Sequence, residues 1–599
     1  MERSPGRQAP GKQSQGRRPA ENQDTGGPGS GGRLPSAARS WLEGAVLYQI
    51  YPLSFRDGNG DGWGDLWGVA EGLDHVAALG VDAIWLSPFY TSPLADFGYD
   101  VADHTAVDPR LGDMATLERV LTKAHRLGLR VMLDLVLGHT SIRHAWFEES
   151  RRSRDNARAD WYVWADPAAD GGPPNNWLSV FGGPAWTWEP RRRQYYLHHF
   201  LPQQPALNYR SPGALATMMD VARFWLDKGV DGFRVDAVDF LARDPDLRPN
   251  PPVAPHPVEI PAKPFGMQVH VRDMMHDDIR GVLAALRRVA DDYPGTVLLG
   301  ELSSQKGAAE RIARYTAPGG LHAAYTLDLP KRPFSAAAFR TTLMAAAERG
   351  GTCWSLSNHD VERAASRWRP EGADPARFEA LLALLLACLP GTVCVYQGDE
   401  LGLPQADLTY EDLRDPFGLN FWPDFKGRDG SRTPLPWTPQ APNGGFCPSE
   451  VRPWLPVAGP HLSRAVAVQD RRTGSTLSLW KAALALRRDT PALSRGGLSH
   501  VDEEGSVLAF QRTEAGHTEA GPTERTGTEG ERRIACVFNL SNAPARYTLP
   551  GGDGEREAGG GNAWTPLRIP RPSGAPVPTY TNGTITLPPL GVWLGATGG

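Results

Sequence analysis

Eight short apolar runs, spaced between residues 42 and 460 and separated by helix-like stretches, constrain this chain more than any other feature. They are AVLYQIY (45–51), VDAIWLS (81–87), LRVMLDLV (129–136), DGFRVDA (231–237), TVLLGEL (296–302), AAYTLDL (323–329), TCWSLSN (352–358) and TVCVYQG (392–398). Each reads as a strand in the interior of a sheet. The segments between them, such as MATLERVLTKAHRLG (114–128) and IRGVLAALRRVADDY (279–293), repeat apolar residues at helical spacing. Strands alternating with helices build parallel sheets, and eight such units predict a (β/α)8 TIM barrel.

The barrel takes residues 41–139 and 211–464. Between these lie about 70 residues rich in Trp, Pro, Gly and Asn (140–210), too long for a plain connection, and an inserted subdomain is expected there. From 465 to 599 short β runs (SVLAFQR, RIACVFNL, ARYTLP, GTITLP, GVWLG) alternate with turn residues, which predicts an antiparallel C-terminal β-sandwich. Residues 1–40 lack the apolar surface that offsets ordering entropy, and a disordered tail is expected. The low-complexity stretch at 513–533 lies between two strand-like flanks and reads as a long hairpin loop.

A formal net charge of -5 and the lack of a basic patch argue against a nucleic-acid partner. No apolar run is long enough to span a membrane, and the N-terminus has Arg but no apolar signal core. The five cysteines are odd in number and not in metal-type pairs, so free thiols in the cytoplasm are expected, in a monomer or homodimer.

In a barrel enzyme the chemistry sits at the C-terminal ends of the strands. Here those ends supply His139, Arg234, Asp236, Glu301, His359 and Asp360. Two carboxyl groups flanking one bond are the minimum apparatus for glycoside hydrolysis. Arg234 is two residues before Asp236, on the same side of the pleat, where it favours the ionised form. Tyr99, Phe181, Trp186 and Trp188 are candidates to stack on sugar faces.

The motifs VLYQIYPLSFRDGNGDGWGDLWG, PFYTSPLADFGYD, GFRVDA, GEL, SLSNHD and QGDELGLP stand in an order that resembles the α-amylase superfamily (glycoside hydrolase family 13), in its oligosaccharide α-glucosidase branch. The resemblance implies a retaining, exo-acting α-glucosidase that releases glucose from the non-reducing end of a small oligosaccharide or disaccharide. It implies Asp236 as nucleophile, Glu301 as acid/base and Asp360 as the third carboxylate. Asp96, Tyr99, His139, Arg234 and His359 match residues that hold the first glucose, and Asp100 matches a supporting acid. Arg428, preferred over Arg432, matches an Arg that closes the pocket. The small Ala237 after the nucleophile goes with α-1,4 preference in the resembling enzymes. The same site in other members transfers glucose or isomerises glucosides, as in trehalose or isomaltulose synthases. Three departures stand out: Gly138 where Asn is usual, Ala206 where an acid is frequent, and Asp399 in place of Glu.

The stretch RDGNGDGWGDLWG (56–68) alternates Asp, Asn and Gly like the start of a calcium loop. An EF-hand needs Glu at the twelfth position, where Gly68 stands, and a helix upstream, where a strand is predicted. The resemblance instead implies a structural Ca2+ or Mg2+ held by Asp57, Asn59, Asp61, the Trp63 carbonyl and Asp65, with no organic cofactor.

Overall fold

The computed structural model describes residues 40–254, 262–347, 350–514, 532–550 and 564–597. The expected tail, save Ser40, and residues 515–531 of the low-complexity stretch lie outside these. The eight apolar runs form strands β1 (Val46–Ile50), β2 (Ala83–Leu86), β3 (Arg130–Leu135), β4 (Gly232–Val235), β5 (Val297–Leu302), β6 (Ala323–Thr326), β7 (Cys353–Ser355) and β8 (Thr392–Tyr396). They pair in parallel in the order β6-β5-β4-β3-β2-β1-β8-β7. A parallel bridge from Ala324 to Thr352 joins the two ends and closes the barrel.

The eight helices that follow the strands are α1 (Leu66–Ala77), α2 (Met114–Arg126), α3 (Pro212–Asp227), α4 (Ile279–Asp291), α5 (Ala308–Tyr315), α6 (Ala336–Ala347), α7 (Pro375–Cys388) and α8 (Thr476–Asp489). α2 shows why such segments wrap a barrel: Leu117, Val120, Leu121 and Ala124 are buried on one face, and the Asp113 carboxylate caps its first turn. α7 is buried almost all round, because it lies between the barrel and the C-terminal sheet. α8 begins beyond residue 465, where the sequence pattern placed the start of the β-domain, and it packs on α7. The all-β segment therefore starts at Gly497.

Alternation along the strands sorts the side chains. Leu47, Trp85, Met132, Val297, Leu299 and Tyr325 fill the barrel interior with Cys353 and Cys394. Their neighbours face the helices in the main core, and register sets Arg234 beside Asp134 on β3 and Leu299 on β5. The inserted segment has its own helix (Ala145–Ser150), a three-stranded sheet and a small apolar core around Trp177, Trp186 and Leu197. It is tied to the barrel mouth by the His139–Ala206 bridge.

The C-terminal segment has a five-stranded sheet, β9 (Gly497–Glu504), β10 (Val507–Thr513), β11 (Arg533–Asn539), β13 (Thr565–Pro566) and β16 (Val592–Thr597). A three-stranded sheet, β12 (Ala545–Thr548), β14 (Thr579–Thr581) and β15 (Thr584–Leu587), packs on it over Val537, Tyr547, Ile585 and Trp593. All five cysteines are buried free thiols. No described helix is long and apolar enough to cross a membrane.

Candidate active site

Arg234, on β4, is fully buried in the barrel mouth, and its guanidinium organises the site. Nη1 donates to Asp134 Oδ1 at 2.7 Å and to Asp236 Oδ1 at 2.6 Å. Nη2 donates to Glu301 Oε2 at 2.5 Å and to the Tyr325 hydroxyl at 2.7 Å, and Nε reaches the same hydroxyl at 3.0 Å. Five N–H groups meet five contacts, so the fork is fixed in place. Asp236 and Glu301 are thereby bridged by one planar group, and Glu301 also accepts the Ala237 N–H at 3.2 Å. Ala237 sits in the left-handed region at φ +42°, the bend that takes the chain off the strand just after Asp236.

Asp360 follows β7 and is held by two other arginines. Arg428 Nη1 and Arg432 Nη2 donate to its Oδ1 at 3.2 and 3.0 Å. Arg428 also donates to Asp96 Oδ1 at 2.7 Å and forms a fork with Asp415 at 2.7 and 3.0 Å. Both candidate arginines thus reach Asp360. Arg428 alone links it to Asp96, a residue 332 positions before Arg428 in the sequence.

His359 stacks between Tyr99, with ring centroids 5.3 Å apart, and Tyr51, at 5.7 Å. Its Nδ1 is 2.6 Å from Gln49 Nε2, and its Nε2 is 2.7 Å from the Tyr99 hydroxyl and 3.2 Å from Asp360 Oδ2. Burial pulls its pKa down to about 3, so the ring is neutral at ordinary pH. The network then assigns the proton to Nε2, with Gln49 donating to Nδ1 and Tyr99 donating onward to Asp134 at 3.0 Å. His139 Nε2 donates to the Tyr99 carbonyl at 3.0 Å, and Gln204 donates to Asp96 at 3.0 Å. Asp100 accepts the Ala95 and Asp96 N–H groups and so fixes the loop that carries Asp96.

The carboxyl groups are tuned apart. Burial raises Glu301 to about 8, Asp236 to about 7 and Asp134 to about 6, against the pull of Arg234. Asp360 is also buried, yet His359, Arg428 and Arg432 outweigh that and hold it well below the usual carboxylate range. One site therefore holds a carboxyl that keeps its proton at neutral pH beside one that stays ionised.

The structure gathers Asp96, Tyr99, His139, Arg234, Asp236, Glu301, His359, Asp360 and Arg428 into this one mouth. The aromatic candidates divide. Phe181 is buried 4.9 Å from the Arg428 guanidinium and stacks on Phe417. Trp186 is buried against Trp177 in the subdomain core and offers no face to a sugar. Trp188 is exposed on a hairpin edge against Tyr195, and Tyr99 is stacked on His359. Gln49, Asp134, Gln204, Tyr325 and Asp415 were not singled out from the sequence. Only Asp134, a charge inside an apolar run, carried a local signal.

The acidic loop follows β1 away from these groups. Asp57 accepts the Gly60 and Gly62 N–H groups at 2.5 and 2.8 Å, and Asp61 accepts the Trp63 N–H at 2.8 Å. Asp65 caps α1 through Gly68 N–H at 2.6 Å and also accepts the Asn59 N–H at 3.0 Å. A Cβ on Gly68 would run into the Arg56 carbonyl oxygen, which is why the twelfth position is glycine. The donors are all oxygen, the type that hard divalent cations take. Among the described residues no group of three or more Asp, Glu, His or Cys side chains is arranged to hold a metal ion by itself.

A family model for the α-amylase catalytic domain matches residues 49–496. The chain is 47% identical to a probable α-glucosidase of Rhizobium meliloti over 86% of its length and 91% of the relative's. It is 34% identical to an oligo-1,6-glucosidase of Parageobacillus thermoglucosidasius over 86% and 92%. Among solved structures it is similar to an α-glucosyl transfer enzyme, with a TM-score of 0.84, 45% identity and coverage of 94% of this chain and 100% of that one. With the barrel, the order of the motifs and the site all in agreement, the chain belongs to the α-amylase family of glycoside hydrolases.

Proposed function

We propose that this protein is a retaining, exo-acting α-glucosidase of short α-glucosides. The observation that carries the reading is the single guanidinium of Arg234, which bridges Asp236 and Glu301 and so holds two carboxyl groups to one bond. In the first step a carboxylate oxygen of Asp236 forms a bond to the anomeric carbon as the glycosidic C–O bond breaks. Glu301 gives its proton to the leaving oxygen. Water then attacks the same carbon, passes a proton to Glu301 and releases Asp236. Two inversions leave the anomeric configuration retained.

Asp360, held ionised by its arginines, and Asp96, held by Arg428, close the pocket around a terminal glucose. The Arg428 ties to Asp96, Asp415 and Asp360 cross-link the residues around the proposed site of the terminal glucose, which suits exo action. The small Ala237 beside the nucleophile supports α-1,4 preference. We place Ca2+ or Mg2+ at Asp57, Asn59, Asp61, Trp63 and Asp65, where it would neutralise the acidic turn and play no part in the chemistry. The buried free thiols support a reducing, cytoplasmic location.

Transfer of glucose to a sugar acceptor is the second reading, with which the 45% identity to an α-glucosyl transfer enzyme is consistent. Hydrolysis of maltose, isomaltose, sucrose, trehalose, maltotriose and starch, with the anomer and every product identified, tests both. α-Glucose from maltose and maltotriose is expected, with starch a poor substrate. β-Glucose as the anomer first formed from the non-reducing unit would overturn retention, and new disaccharides as the main product would favour transfer.

A further inference from the structure

Behind the inserted subdomain a cavity of about 370 Å³ opens between that subdomain and the segment after β4. None of the residues placed in the active site lines it. Four guanidiniums do: Arg154, Arg192, Arg210 and Arg243. Arg154 is paired with Asp166 at 2.9 Å and Arg210 with Asp278 at 2.5 Å. The other two are different. Arg192 donates to Gln194 Oε1 at 2.7 Å and to the Ser150 and Ser153 carbonyls at 2.7 and 2.9 Å. Arg243 donates to the Leu207 carbonyl at 3.1 Å and to Asn208 Oδ1 at 3.3 Å. Both are buried, and every one of these partners is a neutral oxygen.

Taking a guanidinium out of water without a counter-charge is costly. Burial and a neighbouring arginine lower Arg243 to about 9 and Arg192 to about 10, and the nearby Asp278 and Asp160 carboxylates offset this only in part. The cavity's one acidic lining residue, Asp160, is exposed at its edge. The Arg192 guanidinium lies 4.4 Å from the Trp164 ring centroid, which fixes its plane. The planar fork of a guanidinium matches the oxygens of a phosphate, and two such groups line this cavity. The volume is at the small end of ligand pockets, about 300–1,000 Å³, and leaves room for a small body attached to that group.

We propose that this cavity is a binding site for a phosphate oxyanion, held between Arg192 and Arg243 and separate from the sugar site. The oxyanion is either free phosphate or the phosphoryl group of a small metabolite. Calorimetric titration of the full chain with inorganic phosphate and with glucose 6-phosphate, at constant ionic strength in chloride, tests it. Saturable binding of phosphate is expected, weakened about tenfold or more in Arg192→Gln and in Arg243→Gln, in line with the loss of one charge-assisted contact. Equal affinity for the two ligands assigns the site to the free anion, and tighter glucose 6-phosphate assigns it to an ester.

Arg154→Gln, on the half-exposed rim, gives a smaller loss in a variant that leaves the buried pair intact. Maltose turnover by each variant reports that it has folded. Asp236→Asn should bind inorganic phosphate as the native protein does. No saturable binding at millimolar phosphate, or binding unchanged in folded Arg192→Gln and Arg243→Gln, would overturn the proposal.

Discussion

Two acidic clusters stand at the same end of this barrel, and they are held in opposite ways. In the 57–65 loop the carboxylates of Asp57, Asp61 and Asp65 accept backbone N–H groups from their own turn. In the active site Asp134, Asp236, Glu301 and Asp360 accept from guanidiniums, which for Asp134, Glu301 and Asp360 come from elements far away in sequence and for Asp236 from its own strand. Backbone donors fix the shape of a short loop and ask only for glycine at the right places. Side-chain cations fix charge as well as shape, and allow neighbouring carboxyl groups to differ in proton affinity. The first arrangement is structural in character, the second chemical, although both are written in Asp and Gly-rich text.

Removing the carboxylate proposed as nucleophile breaks the comparison most sharply. Asp236→Asn should cut kcat on maltose by about 10⁴-fold or more. The melting temperature should stay close to native, because the amide oxygen can still accept from Arg234. Next is Glu301→Gln, with a loss of about 10²–10⁴-fold, as for a missing general acid. Native kcat/KM should fall as pH rises through about 8, where Glu301 loses its proton, and fall again as pH drops through about 7, where Asp236 takes one up. In Glu301→Gln the alkaline limb should vanish, and a profile identical to the native one would remove Glu301 from the acid/base role.

Arg428→Lys comes third. It keeps the charge but loses the fork to Asp415 and the reach to Asp96 and Asp360. KM should rise more than tenfold, and thermal melting should show a loss of about 1.5–3 kcal/mol, the range for a lost hydrogen bond to a charged group.

The smallest effect is expected at the loop. A chelator should lower the melting temperature by a few degrees, of the order that loss of a bound ion gives, with kcat nearly unchanged once the fold is held at low temperature. Atomic absorption on the purified protein identifies the ion. An unchanged melting curve with no metal present would leave the loop as a backbone-held turn.

Much of this was legible in the sequence because strand ends and loop motifs are local. The eight runs, the polar residues at their ends and the glycine spacing of 56–68 are each contained in a few residues. What could not be read depends on contacts across the chain. Gln49 meets His359 over 310 residues, Gln204 meets Asp96 over 108, and Asp415 joins Arg428 from a loop with no motif of its own. Trp186 looked like a sugar platform and became subdomain core, since composition does not say which face of a hairpin is covered. α8 was missed for a similar reason: its first residues read as a passage into the β-domain until its packing on α7 is seen.

The saturated fork of Arg234 has a consequence for inhibitors. All five of its N–H groups are engaged, so none is free to turn toward a ligand. Around the pocket the carboxyl groups of Asp96, Asp134, Asp236, Glu301, Asp360 and Asp415 outnumber the guanidiniums of Arg234, Arg428 and Arg432 two to one. Even with Glu301 protonated, the cavity is an electrostatic trap for positive charge. A sugar-shaped amine should be captured in preference to its neutral counterpart, and more strongly as the amine takes up its proton.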